Sequence, residues 1–160
     1  MSGLRLLALP LVAGAAILTL AAQPVTGAAP PNGAVIYNRC AACHTATGKG
    51  IPATYPPLGA DFRKLASKPG GRRYLVLVVT RGISGPLTVE GKPYRNVMPA
   101  QAGLDDAAVA AVLNHVGTRI ATQGPAFKPF TSAEVGTARA SGASMTGNDV
   151  ARLHTAVGGG

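Results

Sequence analysis

Apolar residues recur along this chain in several patterns, and each pattern predicts a different element. Leu6 to Ala22 is an apolar run of Leu, Ala, Val and Ile, broken by Pro10 and Gly14. Further on, Val109, Val112, Leu113 and Val116 recur at spacings of three, four and seven, the stripe of an amphipathic helix. Asp105 stands at its N-cap position and Asp106 at the positive end of its dipole, and the helix is expected to end near Gly117 to Ile120. Gly33 to Tyr37 reads as a short helix capped by Asn32 that runs directly into Cys40-Ala41-Ala42-Cys43-His44. Asp61 to Ala66 reads as a short polar segment closed by Lys68-Pro69-Gly70-Gly71. Arg72 to Arg81 reads as a helix stopped by Gly82, although Val76, Val78, Val79 and Thr80 also suit a strand. Leu87-Thr88-Val89 and Lys92-Pro93-Tyr94 flank Glu90-Gly91 as a small hairpin, with Pro93 confining the second arm to an edge.

Beyond Ala121 the pattern weakens. Gly124-Pro125 breaks the preceding helix, and Phe127, Pro129 and Phe130 mark an apolar extended segment. Thr131-Ser132-Ala133-Glu134 is a capping-box pattern for a helix through about Ala140, and a last weak helix is expected from Asp149 to Ala156. This tail either clasps the rest of the chain, docks it onto a larger enzyme through Phe127 and Phe130, or is a flexible terminus. His154 lies within it and receives no role.

The first apolar run carries Arg5 ahead of it and small residues at Gly27, Ala28 and Ala29 behind it, the layout of a secretory leader cleaved near Ala29. The run is short for a membrane span, so cleavage is preferred to a retained anchor. The organisation expected is therefore a signal peptide over 1–29, one small domain over 30–120, and a C-terminal extension over 121–160.

Both cysteines of the chain lie in Cys40-Ala41-Ala42-Cys43-His44. Two thiols three residues apart on a helical turn suit addition to the two vinyl groups of a haem, and the next residue then presents an imidazole to the iron. This is the CxxCH pattern of covalent haem c attachment, with His44 as proximal ligand. Half of a zinc site is the first alternative, but no second cysteine pair completes four ligands. A dithiol redox switch is the second, and no thioredoxin-like βαβ pattern surrounds the motif.

With that motif closing a short helix, the chain resembles a class I mono-haem bacterial cytochrome c over about Asn32 to Ile120. The resemblance implies an all-α fold wrapped around one haem, with a small hairpin before the axial methionine. It also implies a crossing of the first and last helices through a small residue and an aromatic or apolar one. The family commonly places its aromatic four residues before the first cysteine, where this chain has Ile36, with Tyr37 at three. The crossing contact is then aliphatic, or the helix starts differently. Tyr55-Pro56-Pro57-Leu58 resembles the family's Pro-x-Leu element, which implies that the Pro56 carbonyl accepts a hydrogen bond from His44 Nδ1 and that Leu58 packs on the haem. Asn96-Val97-Met98-Pro99 resembles the sixth-ligand segment, 54 residues after His44, and implies a weak thioether ligand that favours ferrous iron and closes the distal site. Met98 could instead fill a gap in the core, with Met145 as the fallback ligand. His115, near the stripe of the last helix, reads as a packing or surface histidine. The run Gly85-Pro86-x-x-Val89-x-Gly91-x-x-Tyr94 is similar to that of cytochrome c domains associated with periplasmic dehydrogenases.

The formal net charge is +9. Ten basic residues lie between Arg39 and Arg95 against Asp61 and Glu90, whereas four face four beyond Arg95. A basic haem-bearing half suits steering toward acidic redox proteins, though a solvated surface explains any single residue as well. Nucleic acid is not expected as a partner, since no recognition motif is present. The function expected is periplasmic one-electron transfer without catalytic acid or base residues. The rival readings are a tightly bound subunit of a periplasmic dehydrogenase, and a haem enzyme or gas-binding protein with an open distal site.

Overall fold

The computed structural model describes residues 29–160; the leader expectation lies outside these residues. Among the described residues, six α-helices and one two-stranded hairpin follow one another in chain order. α1 spans Gly33–His44, and the Asn32 side chain accepts from Ala34 N at 3.0 Å and Val35 N at 3.3 Å, satisfying the free amides of its first turn. α4 spans Asp106–His115, with Asp105 Oδ1 accepting from Ala108 N at 2.7 Å. Val109, Val112, Leu113 and Val116 are all buried, so the sequence stripe is the core face.

α1 crosses α4 at Gly33, where an added Cβ would lie 2.1 Å from the Ala111 carbonyl oxygen. Only glycine permits that approach. The aromatic part of the crossing is made by Tyr37, not by an aliphatic substitute: it is buried, with its ring centroid 5.3 Å from that of His115. Ile36 is only partly buried beside it. His115 is thus a packing histidine.

α3, Pro69–Arg81, is the central helix, with Tyr74, Leu75, Val76, Leu77 and Val79 buried. It begins three residues before the expected Arg72, because Pro69 occupies the first helical position, where its missing N–H costs nothing. Gly71 belongs to the first turn because an added Cβ there would lie 2.2 Å from the Leu65 carbonyl oxygen. Its β-branched run remains helical because α2, α4, α5 and α6 pack around it. The stretch expected to be a polar segment is a helix, α2, Ala60–Ala66. Phe62, Leu65 and Ala66 face the core from it, a two-turn pattern too short to stand out by period.

The hairpin pairs β1, Leu87–Val89, with β2, Lys92–Tyr94, in the register Leu87↔Tyr94 and Val89↔Lys92. Its turn residues Glu90 and Gly91 both have positive φ, 51° and 72°, which matches the twist of a two-residue hairpin.

The last turn of the α4 rod widens into a π-type turn over Val116–Ile120. Residues 121–130 then run back along α4, where Asn114 holds Phe130 from both sides: Nδ2 donates to Phe130 O at 3.0 Å and Oδ1 accepts from Phe130 N at 2.7 Å. Phe130 is buried, and Phe127 packs between Phe62 and Phe130 and over Gly117. Both rings therefore pack into this chain's own core.

α5, Ser132–Ser141, is capped by Thr131, but Glu134 does not close the expected box; its carboxylate goes to Arg72 instead. α6, Gly147–Ala156, starts two residues earlier than expected, behind a complete Thr146–Asp149 capping box. It packs on α3 through Val150, Ala151 and His154. Among the described residues no helix is long and apolar enough to cross a membrane.

Candidate functional site

The end of α1 and the loop after it line a cavity. Cys40 and Cys43, both partly buried, and buried His44 occupy the last turns of α1 and line this cavity. The chain leaves the helix through Thr45, whose φ of 66° turns it sharply, and the Tyr37 hydroxyl donates to the Thr45 carbonyl at 2.9 Å. The following loop folds onto the helix end by backbone bonds: Gly50 N donates to His44 O at 3.0 Å, and Leu58 N to Gly48 O at 2.7 Å. Gly50, at φ 65°, sits where a Cβ would be 2.7 Å from the Pro56 carbonyl oxygen.

That carbonyl is the one expected from the sequence. His44 Nδ1–H donates to Pro56 O at 2.8 Å, which fixes the tautomer and leaves the Nε2 lone pair to bind a metal. Burial lowers the proton affinity of the imidazole below the ordinary histidine value, more than the bond to Pro56 raises it, so the ring is a neutral donor at physiological pH. Leu58 lines the same cavity.

Met98 lines the same cavity. Immediately after α3, Gly82 takes φ 75°, where a Cβ would meet the Met98 carbonyl oxygen at 2.4 Å. Ile83 and Met98 then exchange two backbone bonds of 2.9 Å each. Gln101 N donates to Val79 O at 2.8 Å on the far side of the methionine. Met98 is thus held at the end of the central helix by a short bridge rather than by a regular element. Met145, the alternative, is not among the cavity's lining residues; its sulfur accepts from Arg73 at 3.6 Å.

The walls between these groups are apolar, with Phe62, Leu65, Leu75, Val79, Val112 and Leu113 among them. A largely apolar cavity lined by two thiols, a neutral imidazole and a thioether fits a haem. It fits the competing chemistries poorly. Burial pushes the Cys40 thiol above its ordinary value, whereas redox-active dithiols need a depressed one. Among the described residues no three His, Cys, Asp or Glu side chains cluster as a metal site.

Three residues in the wall had no place in the sequence reading. Asp61, Tyr74 and His154 all line the cavity, and His154 Nε2–H donates to Asp61 Oδ2 at 2.8 Å. The weak signal was positional: His154 follows Val150 by four, and Asp61 precedes Phe62 and Leu65 on the inner face of α2.

The basic half of the chain is less free than its composition implies. Arg72 is buried against Glu134, Arg63 donates to Gly117 O and Pro125 O, and Arg73 donates to Ser141. Arg39, Lys49, Lys64, Lys68, Lys92 and Arg95 remain exposed.

Comparison with known proteins agrees with this geometry. A family model described as cytochrome c matches residues 31–119. The chain is 45% identical over 111 residues to cytochrome c-552 of Thermus thermophilus, an alignment covering 68% of this chain and 85% of that protein. A second cytochrome c-552 of the same species is also 45% identical over 111 residues, which are 75% of its length. The chain therefore belongs to the cytochrome c family as a class I mono-haem member, an electron-transfer protein whose family carries haem c covalently.

Proposed function

We propose that the protein is an exported, periplasmic one-electron shuttle in which Cys40 and Cys43 would hold a haem covalently and His44 and Met98 would bind its iron. The observation that carries this reading is His44, pinned by Pro56 O at 2.8 Å in the apolar cavity that Cys40, Cys43 and Met98 also line. The haem supplies the couple itself, iron alternating between ferric and ferrous. The chain's residues set its conditions. The bond to Pro56 orients His44 and strengthens its donation, and the Met98 thioether favours the ferrous state and keeps small ligands off the metal. The apolar walls exclude water and so limit the reorganisation that accompanies each change of charge. Arg39 lines the cavity and is exposed, and with the other exposed cations it provides attraction for an acidic redox partner.

Intact mass and a haem stain of the exported protein test the attachment. One haem per chain is expected, with loss of covalent haem in a Cys40→Ser, Cys43→Ser double variant. Covalent haem retained in that variant would refute the assignment. Partner reduction should slow as ionic strength rises, and a rate insensitive to salt would remove the steering role.

A further inference from the structure

Two buried ionisable side chains in the cavity wall have no part in the roles above. His154 on α6 is 2% exposed and Asp61 on α2 is 5% exposed. His154 Nε2–H donates to Asp61 Oδ2 at 2.8 Å, and Gly160 N donates to Asp61 Oδ1 at 3.0 Å, so both carboxylate oxygens are engaged. His154 Nδ1 is different: it is buried and has no partner among the described residues. A buried polar atom without a partner is uncommon and calls for an explanation. The pair also lines the cavity that Cys40, Cys43, His44 and Met98 line.

Few other charges face it. From α3, the Tyr74 ring lies 5.3 Å from the imidazole, and burial together with the Asp61 carboxylate pushes its hydroxyl up, so Tyr74 stays neutral. Arg72 of α3 is committed to Glu134. Lys68, just before α3, brings Nζ to 2.8 Å from where a Gly158 Cβ would stand. From the hairpin turn, Glu90 accepts from the Asp61 backbone N–H at 3.3 Å. On α6 itself, Asp149 and Arg152 pair with each other near its start.

With neutral imidazole the pair carries one negative charge; with Nδ1 protonated it carries none. An electron entering the same apolar cavity raises the cost of the negative arrangement, because charges there are weakly screened. We propose that Asp61–His154 is a redox-linked proton site: His154 Nδ1 takes one proton from solvent when the haem accepts one electron from its donor, and releases it when the electron leaves. This rests on the reading that the haem occupies this cavity with His44 and Met98 as ligands.

The test is the midpoint potential of the holoprotein against pH, with the His154 ring followed by NMR in both oxidation states. Histidine protonation in the ferrous protein is expected to persist to higher pH than in the ferric protein. The potential should fall with rising pH between those two transitions and be flat outside them. Each tenfold difference in proton affinity between the two states corresponds to about 59 mV. His154→Gln should remove the slope. Asp61→Asn, which takes away the imidazolium's counter-charge, should move the slope to lower pH.

A slope that persists in His154→Gln would assign it to another group and overturn the proposal. So would a wild-type His154 that titrates identically in both states, a measurement that decides the matter even where the variant fails to fold. Failure of the underlying reading looks different. A wild-type ferrous spectrum altered by carbon monoxide would contradict the ligand set, whereas an unaltered spectrum with a pH-independent potential would overturn the proton site alone.

Discussion

The segment from Gly33 to Leu58 and the segment from Ala121 to Gly160 are held by different means. In the first, the decisive bonds are short in sequence: Tyr37 to Thr45, His44 to Pro56, and Leu58 to Gly48. In the second, the anchors are polar side chains whose partners lie far away. Glu134 meets Arg72, 62 positions off; Arg139 meets Asp106 across 33; His154 meets Asp61 across 93. The first region owes its shape to bonds close in sequence and to glycines at tight contacts, so it should respond mainly to steric changes. The second adds ion pairs to its apolar packing, so it should also respond to charge removal and to pH.

Gly33→Val is the largest expected insult to the first region. Its Cβ would press on the Ala111 backbone, which cannot rotate away, and a loss of about 3 kcal/mol in denaturant unfolding is expected. A variant as stable as wild type would mean that the α1–α4 crossing is not close-packed. The counterpart in the second region is Arg72→Ala. It would strip Glu134 of its partner and leave the carbonyl oxygens of Ala66, Lys128 and Pro129 without their donor. Since Glu134 is about one-third exposed, the full cost of breaking a buried pair is not expected, and about 2 kcal/mol is the expected loss. Hydrogen exchange should then speed up in α5 well before α1, and uniform acceleration would contradict a separately anchored tail.

Gly50→Ala probes the first region at the site. A side chain at φ 65°, close to the Pro56 carbonyl, should cost about 1–2 kcal/mol. It should also raise the reduction potential, because loosening the His44–Pro56 bond weakens the imidazole's donation to ferric iron. An unchanged potential would show that the loop does not position the ring. Thr146→Ala, removing one half of the α6 capping box, should cost about 1 kcal/mol and leave the haem spectrum unaltered.

The smallest effect is set by pH. The hydrogen bond from Arg72 holds the Glu134 carboxyl below its ordinary value, so its contribution is fully present above the usual glutamate range and disappears as pH falls through the lower folded value. Arg72→Ala should flatten that part of the stability curve. An identical acid profile in the variant would place the titration elsewhere.

The same division explains what could be read from the sequence. Cys40, Cys43, His44, Pro56 and Leu58 lie within one short stretch, and Met98 stands beside a proline after a recognisable hairpin, so local pattern was enough to nominate them. The stripe of α4 and the caps Asn32 and Asp105 were equally legible, because period and capping are local properties. α2 was misread because two turns with Asp61, Arg63 and Lys64 among the apolar residues carry too little periodicity. The start of α3 was misplaced because Pro69, Gly70 and Gly71 look like a loop until Gly71 is seen pressed against Leu65. Glu134 followed the capping rule in sequence but was claimed by Arg72, a partner that only the tertiary fold supplies. The pairing of Asp61 with His154, 93 positions apart, is likewise supplied only by the tertiary fold.

The central claim is the proposal that His44 and Met98 would together fill the iron's coordination and close it to small ligands. Adding carbon monoxide to the reduced holoprotein while recording its optical spectrum tests it most directly. A c-type ferrous spectrum unchanged by the gas is the predicted result, and it would accompany reversible one-electron chemistry without turnover. A spectrum shifted by carbon monoxide would contradict the account, because it would require an open or labile distal site where Met98 is placed.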